Sequence, residues 1–155
     1  MEDFLTILPK RTKEEAVHIA AAALKYFIRE IPLGLWHTEW FQTVVDYAEN
    51  HSNIPVNEKD DALFRLVKRQ TIEMPYPTYV ITKILFQLLK NVSKYSDENL
   101  MTCSNLLLIW GPNLIKPGDP NEMILYTKPE SWVGILVTYY INYYDDIFTR
   151  EGGRR

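Results

Sequence analysis

The first candidates for a binding site are one histidine and two cations in the first amphipathic segment. His18, Lys25 and Arg29 recur at helical spacing, with Ala22 between the first two. Residues at this spacing share one face of a helix, and small alanines on that face allow another backbone to approach closely. The spacing alone leaves two interpretations open. The stripe is either a contact surface for another molecule or a basic helix edge that faces water.

A second group consists of three asparagines, Asn99, Asn105 and Asn113. Asparagine is a poor helix former because its side chain competes for backbone hydrogen bonds. Asn105 nevertheless falls within an apolar segment that is predicted to be helical. Its amide either satisfies backbone groups near the break at Gly111-Pro112, which is a structural role, or it contacts a ligand.

The motifs of common enzyme classes are absent. The chain has no phosphate-binding glycine loop, no HExxH zinc motif and no GxSxG nucleophile elbow. The three histidines, His18, His37 and His51, lack the spacing of metal ligands. Cys103 has apolar neighbours, which is typical of a small buried hydrophobe rather than a nucleophile. We therefore predict no catalytic residue, no metal and no cofactor of the chain's own.

Composition predicts one globular domain. The 155 residues are 46% hydrophobic and 24% charged, and the net charge of -3 lacks the basic footprint that nucleic-acid binding requires. The acidic start, Met1 to Phe4, does not resemble a signal peptide, and no apolar stretch is suited to spanning a bilayer. The single cysteine suits a reducing compartment. We expect a cytoplasmic protein with no integral membrane segment.

Apolar residues recur every three or four positions and do not alternate, which predicts an all-α, bundle-like fold. We expect an N-terminal lead-in over residues 1–14, one helical domain over 15–148 and a frayed tail over 149–155.

The N-terminal helices have recognisable boundaries. The capping-box sequence from Thr12 to Glu15 predicts a first helix from Lys13 to Glu30, which Pro32 and Gly34 end. A second helix should start after Thr38, and a third near Asn57, which can cap it. The predicted inward stripe of the first helix comprises Val17, Ala20, Leu24, Phe27, Ile28 and Ile31.

The C-terminal helices are longer and more apolar. A helix that begins at Pro77 and carries Ile84 and Leu88 inward is predicted to be central. The next should lie within residues 97–110 and end at Gly111-Pro112. A last helix follows Pro129. Its four tyrosines, Tyr139, Tyr140, Tyr143 and Tyr144, cannot all face one core, so some of them are expected to form an exposed patch.

Two segments resemble a known family, the GTPase-activating domain for Rho-type small GTPases. Leu24-Lys25-Tyr26-Phe27-Ile28-Arg29-Glu30-Ile31-Pro32 resembles the family segment LK-x-(F/Y)-(L/I)-R-E-L-P, and Val17-His18 precedes it at the right distance. Asn99-Leu100-Met101-Thr102, Asn105-Leu106 and Trp110-Gly111-Pro112-Asn113-Leu114 resemble the family's asparagine-rich segment, with its spacings kept. The resemblance covers nearly all of residues 15–148.

The resemblance implies a binding surface. It places Lys25, Arg29 and Asn105 on the face that contacts the switch regions of a Rho-family small GTPase, which carries GTP and Mg. It gives Pro112 and Asn113 a role in shaping the helix end. His18 and Asn99 would lie near the site.

The family's catalytic arginine motif, G-x-x-R-x-S-G, is not found in these 155 residues. The family carries it more than thirty residues before the lysine, and only 24 residues precede Lys25 here. Arg11, the only arginine before Lys25, is a weak candidate to replace this arginine, because nothing in its surroundings matches the motif. An arginine supplied to the GTPase in trans is worth about 10³–10⁵ in rate, so strong stimulation by this chain is not expected.

Three functional interpretations follow. In the first, the chain is part of a parent GTPase activator whose catalytic arginine, the arginine finger, lies elsewhere. In the second, it is a binding module without an arginine finger. In the third, it is a scaffold element that forms a homo-oligomer.

Overall fold

Helices form the architecture throughout the described residues, which are 10–51, 58–116 and 119–149 of a computed structural model. No strand occurs in these ranges, where the nearest feature is an isolated bridge between Gly34 and Ile115. The all-α prediction is therefore confirmed. The α-helices are α1 (Lys10–Glu30), α2 (Gln42–Asn50), α3 (Asp61–Glu73), α4 (Tyr76–Ser93), α5 (Ser96–Asn99), α6 (Cys103–Leu114), α7 (Trp132–Asn142) and α8 (Tyr144–Phe148), and 3₁₀ segments cover Thr38–Phe41 and Pro120–Thr127.

The central helix is α7, which contacts α4 and α6 along its length. Every residue from Trp132 to Ile141 is buried. A helix that is apolar on all sides can be covered on all sides, and this segment contains no charged residue. The prediction that α4 is central is wrong. Ile84 and Leu88 of α4 are 63% and 46% exposed, because α4 buries only one side against the core.

The C-terminal tyrosines belong to the core, so the predicted exposed patch is wrong. Tyr139, Tyr140 and Tyr144 are buried and Tyr143 is half-buried. The predicted single helix is interrupted at Tyr143, between α7 and α8, which changes the direction of the side chains that follow.

The buried tyrosine hydroxyls each have a partner, which removes the usual penalty for burying a polar group. The Tyr140 hydroxyl lies 2.8 Å from the Thr71 Oγ1 atom. The Tyr144 hydroxyl donates to the Lys83 carbonyl oxygen at 2.9 Å. The Tyr139 hydroxyl accepts a hydrogen bond from the backbone of Asp60 at 3.2 Å.

Two predicted helix starts are wrong. α1 already includes Lys10, so Thr12 lies within the helix and not at its cap. α3 starts at Asp61, where the Asp60 carboxylate accepts a hydrogen bond from the Leu63 amide at 2.7 Å. Asn57, the predicted cap, lies outside the described residues. The predicted end of α1 at Glu30 is confirmed.

The helix predicted over residues 97–110 is divided in two. Leu100 adopts a left-handed conformation with φ 60°, which ends α5, and the Thr102 hydroxyl then caps α6. α6 continues through Pro112 to Leu114, contrary to the predicted stop at Gly111-Pro112. Proline removes one helical hydrogen bond, and here the carbonyl that loses its donor belongs to Leu108, an exposed residue.

Candidate functional site

The segment that follows α1 is joined to the C-terminal end of α6. The Trp36 amide donates to the Leu114 carbonyl oxygen at 2.8 Å, and Gly34 pairs with Ile115. Gly34 has a φ of +83°, and a Cβ atom there would lie 2.9 Å from the Lys116 backbone nitrogen. Only glycine allows this approach. The connection holds α1 against α6, the two helices that carry the predicted site residues.

α1 buries little of its predicted apolar stripe. Ile28 is buried, whereas Leu24 and Ile31 are half-buried. Val17, Ala20 and Phe27 are exposed, which contradicts the prediction for these three positions. The reason is that α6 is the main packing partner of α1 among the described helices, and it covers only a narrow strip.

The predicted cationic stripe lies along α1 beside that contact. Lys25 is half-buried, while Arg29 and His18 are exposed. The Arg29 side chain is 58% exposed, and its Nε atom lies 3.8 Å from the Glu30 carboxylate, too far for a hydrogen bond. The Arg29 guanidinium also lies 5.5 Å from the centre of the Tyr26 ring. The charged head of Arg29 thus lies beside the Tyr26 ring and the Glu30 carboxylate and is largely exposed.

Asn105 lies in the first turn of α6, on the helix that packs against α1. Its side-chain amide donates to the Leu100 carbonyl oxygen at 2.6 Å, and its backbone amide donates to the Thr102 hydroxyl at 3.2 Å. Because the amide nitrogen must face the Leu100 carbonyl, the side-chain oxygen of Asn105 faces away as an acceptor. Asn105 therefore has a structural contact and an outward acceptor at once.

Replacing Asn105 with alanine is expected to lower the free energy of unfolding by about 0.5–1 kcal/mol. The variant loses the amide that satisfies the Leu100 carbonyl at the break between α5 and α6. Urea unfolding measures the loss. Ser104→Ala is the matched control, because Ser104 is an exposed neighbour in the same turn. Equal midpoints for the two variants would contradict this structural role.

The other two asparagines of the predicted group, Asn99 and Asn113, form hydrogen bonds with backbone groups close to them in the sequence. Asn99 donates to the Val92 carbonyl at 2.9 Å and accepts from the Met101 amide at 2.8 Å, and it closes the loop before α6. Asn113 donates to the Ile109 carbonyl at 2.6 Å, one turn earlier in α6. Pro112, beside it, is half-buried within the last turn.

The other candidate residues contribute no visible reactive group. Burial is the main cause that raises the pKa of the Cys103 thiol, partly offset by a hydrogen bond with Thr138, and a raised pKa keeps the thiol protonated and unreactive. Arg11 lies near the start of α1, and its side chain is outside the described part. In the described ranges, no group of three or more His, Cys, Asp or Glu side chains could hold a metal ion. None of the helices described is long and apolar enough to cross a membrane.

The contact between the Tyr26 ring and Arg29 was not predicted from the sequence. The position of Tyr26 in the matched segment is the variable one, so the motif does not mark it. The available signal was spacing, because Tyr26 and Arg29 stand three residues apart and such residues are neighbours on a helix.

Comparisons with known proteins agree with the two matched segments. The family model of the RhoGAP domain matches residues 3–119, which is more than half of the chain. Rho GTPase-activating protein 15 of Mus musculus is 28% identical over 137 residues, and its Gallus gallus counterpart is 30% identical over 141. GTPase-activating protein pac-1 of Caenorhabditis elegans is 28% identical over 142 residues. These matches cover 87–88% of this chain but only 8–27% of the relatives.

A solved structure has the same fold. It is the BH domain of Graf, the GTPase regulator associated with focal adhesion kinase. The two share 22% sequence identity and superpose with a TM-score of 0.64 over 81% of this chain and 63% of that one. The family-model match over most of the chain, together with the helical architecture, shows that this chain belongs to the RhoGAP domain family.

Proposed function

We propose that this chain binds the GTP-bound form of a Rho-family small GTPase through α1 and the start of α6. The observation that carries the proposal is the exposed cation Arg29, with Lys25 one turn earlier, on a helix that packs against the helix that bears Asn105. Relatives named as Rho GTPase-activating proteins support the choice of partner.

The chemistry of the surface suits a partner with acidic and backbone groups. Arginine and lysine donate charge-assisted hydrogen bonds to carboxylates and carbonyls, and the outward oxygen of Asn105 accepts from a backbone or side-chain amide. The chain contributes no cofactor in this proposal, since GTP and Mg belong to the GTPase. Both proteins are proposed to meet in the cytoplasm.

We infer that the 155-residue chain stimulates GTP hydrolysis weakly at most. Its sequence contains no G-x-x-R-x-S-G segment, and Lys25 and Arg29 are proposed as contacts for the partner's surface rather than for the phosphate. A parent protein with the finger on another segment would still be an activator. In that arrangement this part of the domain provides affinity and the finger provides rate.

Lys25→Ala and Arg29→Ala are each expected to weaken binding to a GTP-loaded Rho-type protein about tenfold. Each variant removes a cation that donates charge-assisted hydrogen bonds to the partner in the proposed complex, while the core is untouched. Isothermal titration against GTPases loaded with a non-hydrolysable GTP analogue measures the dissociation constants.

The matched control is Arg65→Ala, which removes the same charge from an exposed position on α3, away from the α1–α6 contact. It is expected to bind like the parent chain. If Lys25→Ala and Arg29→Ala also bind like the parent chain and melt normally, this surface is not the binding site.

A second candidate function, self-association, is favoured by the exposed apolar side chains of α1. Val17, Ile19 and Phe27 are 56%, 69% and 59% exposed. Exposed apolar residues grouped on one helix are typical of a protein contact. The solution mass of the chain, measured by light scattering across a concentration series, tests whether a second copy covers them.

A further inference from the structure

We propose that Tyr26 is a positioning residue that holds the Arg29 guanidinium in the orientation that binds the GTPase. The inference rests on the proposed function and adds a residue that the family segment leaves variable. It starts from one contact, in which the Arg29 guanidinium lies 5.5 Å from the centre of the Tyr26 ring.

The contact between Tyr26 and Arg29 forms within α1 itself. Tyr26 and Arg29 lie three residues apart, so their side chains emerge on the same side of the helix, about one turn from each other. The Tyr26 ring is 59% exposed and therefore does not serve the core. Its neighbour Phe27 is equally exposed but has no ring contact with Arg29.

A cation–π contact restrains an arginine without using its hydrogen-bond donors. A guanidinium over an aromatic face is attracted by the π-electrons, while its N–H groups point outward from its edge. The Glu30 carboxylate is the competing partner, and at 3.8 Å from Nε it does not form a hydrogen bond. The ring therefore favours an Arg29 conformation that keeps the donors available.

The expected gain comes from ordering Arg29 before binding. A long side chain loses rotamer freedom when a partner immobilises it, and a side chain that is already restrained loses less. The strength of an exposed cation–π contact corresponds to a change of about two- to fivefold in a binding constant. Removal of the ring is expected to weaken binding by that factor.

The test is a double-mutant cycle on the full 155-residue chain, with the dissociation constant for a GTP-loaded Rho-type protein as the readout. The variants are Tyr26→Leu, Tyr26→Phe, Arg29→Ala and Tyr26→Leu combined with Arg29→Ala. Leucine preserves helix propensity and apolar bulk without a ring, and phenylalanine preserves the ring without the hydroxyl.

The proposal expects Tyr26→Leu to bind about two- to fivefold more weakly, Tyr26→Phe to bind like the parent, and Tyr26→Leu to have no further effect once Arg29 is alanine. An equal loss in both backgrounds would mean that Tyr26 contacts the partner directly, and no loss in either would mean that the contact between the ring and Arg29 does not affect binding. Both outcomes overturn this inference and leave the proposed function intact. A parent chain that binds no GTPase would overturn both.

Discussion

Trp36→Ala is expected to lower the free energy of unfolding by about 3–5 kcal/mol, a large share of the total stability of an ordinary domain. Trp36 is 1% exposed, and its indole N–H donates to the Thr82 hydroxyl at 3.0 Å. Its ring lies 5.5–5.7 Å from three other rings, those of Phe41, Phe86 and Tyr140. The alanine variant leaves a cavity among these rings and removes the donor from a buried hydroxyl.

Urea unfolding followed by circular dichroism measures this loss. The matched control is Trp40→Ala, because Trp40 is a half-buried tryptophan four residues away that packs at the edge of the same core. Trp40→Ala is expected to lose less than half as much stability. Equal losses for the two variants would show that the site of Trp36 collapses around the alanine and that its aromatic contacts contribute little.

This residue also matters for the binding surface. The Trp36 amide makes the hydrogen bond that joins the segment after α1 to Leu114 at the end of α6. A variant that disturbs the indole is therefore expected to loosen α1 as well. Hydrogen exchange of the α1 amides in Trp36→Phe, which keeps an apolar ring, separates this local effect from global unfolding.

Addition of this chain to a reaction of a GTP-loaded Rho-type protein with a trace of an active GTPase-activating protein is expected to slow hydrolysis. At ten times its dissociation constant the chain occupies most of the GTPase, and the stimulated rate falls about tenfold. The reason is that, under the proposed function, the chain occupies the surface through which the activator delivers its catalytic arginine, which is worth about 10³–10⁵ in rate. Single-turnover release of phosphate measures the effect.

The control is the chain with both Lys25→Ala and Arg29→Ala, which is expected not to slow the reaction at the same concentration. Acceleration by the parent chain would contradict the inference of weak stimulation, and Arg11 would then be the first residue to replace. If no Rho-type protein responds in either direction, the binding proposal fails and self-association through α1 becomes the better interpretation.

The end of α1 at Glu30 was predictable from the sequence, because Pro32 and Gly34 act on the backbone within a few residues. The start of α4 was also predictable from the sequence, because Pro77 stands in its first helical turn as expected. Trp36 was not identified as a core residue. It lies in a connection between helices, where no periodic pattern distinguishes a buried side chain from an exposed one.

The candidate site was predictable only as a set of residue types. The helical spacing of Lys25 and Arg29 indicated one face of α1, and the family resemblance added Asn105. The spacing could not show that Val17 and Phe27 of α1 are exposed. That exposure depends on how many other helices pack against α1, which is a property of the whole chain.

By itself the sequence determined the helical class, most helix segments and the two segments that mark the RhoGAP domain family, because helix periodicity, prolines and motif spacing are local properties. Only the tertiary structure decided that α7 is the central helix, that the amide of Asn105 bonds to the Leu100 carbonyl, and that the ring of Tyr26 lies beside Arg29. Burial and side-chain partners depend on residues brought together from distant parts of the chain, and on which faces of each helix the others leave open.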